Sequence, residues 1–100
     1  METKQGYRKP GEENVGINPK TLRLFDDPEY VSPTQEDIKA LKAMTGWNNN
    51  DIARMVGLHY STAKGSTTVR KWLTYSEKEY RQIPYAAWRL LLLYARLVTI

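Results

Sequence analysis

The strongest constraint on how this chain folds lies between Trp47 and Trp72. Two short apolar-striped segments stand there, each bounded by residues that start or stop a helix. Asn48 is placed to cap the first segment. Asp51, three residues on, is placed to return the hydrogen bond and to face the positive helix end. Ile52, Met55 and Val56 recur at helical spacing, and Ala53 offers a small side chain where two helices must cross closely. Gly57 supplies the left-handed stop that a side chain resists. A second helix is expected from Ser66 or Thr67 to about Leu73 or Thr74. Val69, Trp72 and Leu73 form its buried side, while Thr67, Thr68, Arg70 and Lys71 fall largely on the other.

The flanking segments read the same way. Ser32-Pro33-Thr34-Gln35 suggests a capped helix start, with Pro33 at the first position and Gln35 closing the box. Ile38, Leu41 and Met44 or Thr45 continue its stripe, and Gly46 ends it. After a polar stretch from Thr74 to Gln82, Ile83-Pro84 opens a last helix expected to reach about Val98. No segment alternates as a strand would. The fold class is therefore all-α: a small bundle of four to five helices over residues 32–100, preceded by an irregular N-terminal arm over residues 1–31. That arm holds Gly6, Pro10, Gly11, Gly16, Pro19 and Pro28. Its apolar island, Thr21 to Phe25, is expected to pack Leu22, Leu24 or Phe25 onto the domain. Lys4, Arg8 and Lys9 at its tip suit a partner-binding or groove-reaching role instead.

The last helix is apolar nearly all round, with only Arg89 and Arg96 keeping a polar strip. A helix at the edge of a small core needs only one apolar stripe. Either the arm or a second subunit must cover the rest, and a homodimer through residues 84–98 is one expectation.

Composition narrows the function classes. There is no Cys and a single His, His59, so thiolate chemistry and a His-rich metal cluster are excluded. His59 reads as a loop residue. Asp26/Asp27 and Glu77/Glu79 are sequence neighbours in polar segments without a local His or a phosphate loop, and no catalytic arrangement is recognisable. No enzyme activity and no cofactor are expected. The polar N-terminus lacks a signal-like apolar region, and the apolar stretch Leu90–Val98 is too short to span a bilayer. A cytoplasmic protein without membrane contact is expected. Net charge is +4 and uneven: residues 1–31 carry five Lys/Arg against six Asp/Glu, and residues 32–100 carry ten against five. The excess lies on the domain, as phosphate recognition requires. Trp47, Trp72 and Trp88 read as core residues.

Ala53, Gly57 and Leu58, then Thr68-Val69-Arg70-Lys71-Trp72, then Ile83-Pro84, Trp88 and Leu91 form an ordered set. Over residues 34–98 it resembles the Cro and phage-repressor, or XRE-like, type of helix-turn-helix protein found in phages and mobile elements. The chain departs from that pattern in its turn, where His59 to Gly65 intervene before the second helix of the motif. Either the turn is a longer loop, or that helix starts earlier and breaks at Gly65.

The resemblance implies double-stranded DNA as partner, with Thr67, Thr68, Arg70 and Lys71 facing the major groove. Ser66 and the helix start would meet a phosphate, Asn49 and Asn50 would position the backbone, and Tyr60 and Lys64 would reach the phosphates from the enlarged turn. The function implied is a sequence-specific transcriptional regulator, a repressor, of a phage, plasmid or integrated element. The alternative is a protein-binding module on the same scaffold, such as a mobile-element inhibitor of a host defence complex, with the arm as a contact surface.

Overall fold

Most helix ends among the described residues are satisfied by a capping side chain or a left-handed residue. A computed structural model of the chain describes residues 16–99. Among these residues are four α-helices: α1 (Gln35–Thr45), α2 (Asn49–Val56), α3 (Thr67–Leu73) and α4 (Tyr85–Tyr94). A 3-10 turn, Pro19–Leu22, precedes them. The tip of the expected arm, with Lys4, Arg8 and Lys9, lies outside the described residues.

Asn48 caps α2 in a reciprocal box with Asp51, as its spacing requires. Ser66 caps α3 by accepting from the Val69 amide. Gly57, at φ +80, ends α2 with its own amide on Arg54 and the Leu58 amide on Ala53, a Schellman arrangement. The start of α1 differs from expectation. Its cap is Thr34, not Ser32, and the box partner is Asp37, not Gln35. Pro33 thus stands before the cap rather than inside the helix. Asp37 also accepts the Asn18 amide, at 2.8 Å, so a buried carboxylate at the head of α1 ties in the N-terminal segment. The box built on Asp37 therefore satisfies two segments at once.

The last helix is also shorter than its composition suggests. It stops at Tyr94 because Arg96 turns left-handed, at φ +62, and the Leu97 and Arg96 amides close a second Schellman arrangement on Leu92 and Leu93. Leu97 and Val98 then fold back against the core instead of continuing the helix.

Helix α2 packs on α3 and α4, and α1 packs on α3. Ile38 and Leu41, Ile52 and Ala53, Val69 and Trp72, Ile83, and Trp88, Leu91 and Leu92 form one core, joined from the N-terminal segment by Ile17. Each large apolar side chain so buried stabilises the fold by about 1.5–3 kcal/mol. Trp47 is half-buried against this core, and Met44 is exposed.

One flank of α4 is covered by residues 17–22. Trp88 donates through Nε1 to the Thr21 carbonyl, and Arg89 donates to the Leu22 carbonyl at 2.6 Å. Leu22 packs on the core, whereas Leu24 and Phe25 do not: they stay exposed, and Phe25 stacks with Tyr30 and Tyr85 at the surface. On another flank an open apolar groove of about 310 Å³ remains, lined by Val56, Leu58, Trp72, Pro84, Ala87 and Leu90 among others. None of the described helices is long and apolar enough to cross a membrane.

Candidate nucleic-acid interface

Helix α3 divides its residues by burial. Val69 and Trp72 are in the core, while Thr67, Thr68 and Arg70 are exposed and Lys71 is half-buried. This is the split that a helix packed on one side and open on the other must show. Ser66 is buried at 4 % exposure, with its hydroxyl spent on the cap.

The residues before α3 form a loop, and the helix does not begin early. Ser61 and Gly65 exchange two backbone hydrogen bonds, 3.1 and 2.8 Å, and the Lys64 amide donates to the Ser61 hydroxyl. Gly65 closes this ring at φ +78, a conformation that L side chains rarely adopt. Of the two readings of the enlarged turn, the longer loop is the one adopted. Thr62, Ala63 and Lys64 stand exposed at its tip, and Tyr60 is half-buried against the core.

Asn50 anchors the loop to the first turn of α2. Its Nδ2 donates to the Ser61 carbonyl at 3.2 Å, while its Oδ1 is buried without a partner. Asn49 receives a hydrogen bond from the Lys42 ammonium of α1. Burial, chiefly, holds the Lys42 pKa below its ordinary value, with Lys39 adding repulsion. Both asparagine side chains thus have partners within the fold, whereas Lys64, Thr67 and Thr68 are exposed.

Arg70, also exposed, has one side-chain partner among the described residues. Its Nη1 donates to Glu79 Oε1 at 2.7 Å, and this hydrogen bond, more than the bare attraction of the two charges, holds the Glu79 carboxyl below its usual range. In the sequence Glu79 stands as one of two acidic neighbours in a polar stretch. Nothing local signals its role, because the contact depends on how residues 74–82 return along α3. That return is set by long-range bonds: Gln35 to the Thr74 carbonyl, Arg81 to the Lys71 carbonyl and Gln82 to the Pro33 carbonyl.

The geometry defines a small all-α scaffold presenting hydroxyls and a guanidinium on one exposed helix, a set suited to hydrogen-bonding an anionic or polar surface. No family model matches the chain, and no solved structure matches it. Two curated proteins do, both from Escherichia coli and both named transcriptional repressor protein KorC. One is 39% identical over 78 residues, covering 78% of this chain and 81% of that protein. The other is 34% identical over 68 residues, covering 68% and 72%. The chain belongs to the KorC family of transcriptional repressors.

Proposed function

We propose that this protein is a sequence-specific, double-stranded-DNA-binding repressor of a plasmid, phage or integrated element, acting in the cytoplasm. In this reading α2, the 58–66 loop and α3 serve as a helix-turn-helix. The exposed face of α3 carries the proposal: Thr67, Thr68 and Arg70 project from a helix whose opposite side is locked in the core. The repressor name of the relatives supports it.

Arg70 and the threonines would read base edges and Lys71 would join them at the groove. Lys64 at the loop tip would meet phosphate and add affinity without sequence preference. Ser66, Asn49, Asn50 and Tyr60 would hold the backbone elements that approach the phosphates. A homodimer through residues 84–98 would match a palindromic operator, and the apolar groove beside Pro84, Ala87 and Leu90 supports that pairing.

Fluorescence-anisotropy titration against the protein's own upstream region tests the reading. Tight, salt-sensitive binding is expected, weakened by several hundredfold or more in the Arg70→Ala/Lys71→Ala double variant while its fold is retained. Equal affinity for unrelated DNA at physiological salt overturns it. Sedimentation in the same buffer tests the dimer, and a monomer at all working concentrations overturns that part.

A second reading has its own observation. Leu24 and Phe25 are 58% and 67% exposed on the N-terminal segment, beside Tyr30 and Tyr85. A protein-binding module, such as an inhibitor of a host defence complex, would use such an apolar patch. Binding of a purified partner that survives Arg70→Ala/Lys71→Ala but not Phe25→Ala favours it.

A further inference from the structure

We infer that Glu79 is a positioning residue for Arg70 and sets how sharply this protein discriminates between DNA sequences. The inference rests on the reading of α3 as the helix that meets DNA. It starts from the geometry of the pair: Arg70 Nη1 to Glu79 Oε1 at 2.7 Å, with the two side chains 55% and 52% exposed. Among the described residues, Glu79 is the one carboxylate in ion-pair contact with α3.

A pair this exposed contributes little to folding, so a structural strut is a poor account of it. The carboxylate nevertheless does not sit on a loose tail. The Glu79 and Tyr80 amides both close a turn onto Ser76, the Arg81 amide bonds the Lys71 carbonyl, and buried Ile83 ends the segment. Thr74 and Gln82 are tied to α1 and to Pro33 from the other side. The acceptor is therefore presented to Arg70 from a braced backbone.

A guanidinium is a planar fork, and occupying one terminal nitrogen fixes the plane in which the others point. Among the described residues Nη2 and Nε of Arg70 meet no acceptor, which leaves them for a ligand. A fork already oriented loses less rotamer freedom when it makes a bidentate contact to a base edge. It is also less able to swing toward a neighbouring phosphate, which any sequence offers. Both effects raise affinity for the right sequence relative to the wrong one.

The experiment compares the upstream duplex with a scrambled duplex of equal length at one salt concentration. Glu79→Gln keeps the size of the side chain and removes its charge. The ratio of the two affinities is expected to fall about tenfold, within the discrimination that one bidentate arginine supplies. In an Arg70→Ala background the same substitution is expected to change the ratio less than about twofold, because nothing remains to orient. A general charge effect would tighten both duplexes alike and leave the ratio unchanged, which overturns the inference. So does a drop of equal size with Arg70 absent, or a tighter upstream complex with the ratio preserved. A parent protein that does not distinguish the duplexes sinks the DNA reading itself, before Glu79 is touched. The exposed site keeps folding out of the comparison, and Glu79→Gln should melt within about 2 °C of the parent.

Discussion

Trp88 and Thr21, 67 residues apart, meet in the core: the indole Nε1 donates to the Thr21 backbone carbonyl at 3.2 Å, and both residues are fully buried. The bond makes the N-terminal segment part of the fold. A buried carbonyl must have a donor, and the indole supplies one. Trp88→Phe would take that donor away and open space for about half an indole. The expected loss is about 2–4 kcal/mol, read as a lower urea midpoint with an unchanged slope. Trp47→Phe, at a half-buried site, should cost less than about 1.5 kcal/mol. Equal losses for the two would show that the Thr21 contact carries no particular weight.

Gly57 and Arg96 occupy equivalent left-handed positions after α2 and α4, at φ +80 and +62. One has the residue such a position favours and the other does not. A Cβ on Gly57 would meet nothing within 4 Å, so Gly57→Ala isolates the backbone cost. It should destabilise by about 1 kcal/mol. Arg96→Gly should stabilise by roughly 0.5–1 kcal/mol, since relief of the left-handed strain outweighs the extra freedom of the unfolded chain. Thermal melts of both variants check the pair, and shifts of the same sign would contradict this account of the two helix ends.

Asn50 holds the loop that carries Lys64, and its effect should be local. In Asn50→Ala the Ser61 carbonyl keeps the Gly65 amide but loses the side-chain donor. The expected global cost is only about 1 kcal/mol, partly offset because the unpartnered Oδ1 is removed as well. Amide exchange at Gly65 should accelerate by about tenfold as the ring opens more often, while the core amides of α1 and α4 follow the global change alone. Unaltered protection at Gly65 would mean that the 61–65 ring stands without its anchor.

Much of the fold is legible because the signals are local. Asn48 with Asp51 and the stop at Gly57 act within a few residues of themselves, and the structure adopts them where they stand in the chain. Where the structure departs from these signals, the causes are physical too. Ser32-Pro33-Thr34-Gln35 offers two hydroxyls for one cap, and the choice falls on Thr34 because Asp37 then accepts from the Thr34 and Asn18 amides together. The continuous apolar run after Leu90 hides the end of α4, since an arginine is an unusual residue for a left-handed stop.

The amino-acid sequence by itself determined the all-α class, the extent of α2 and the polar face of α3, because helix caps, glycine stops and 3.6-residue periodicity are properties of neighbouring residues. Only the tertiary structure decided what covers α4, where α3 begins, that Ser61 to Gly65 close into an anchored ring, and that Arg70 is held by Glu79. Those outcomes depend on which distant backbone groups find partners when the chain collapses, and no short stretch of residues encodes such pairings.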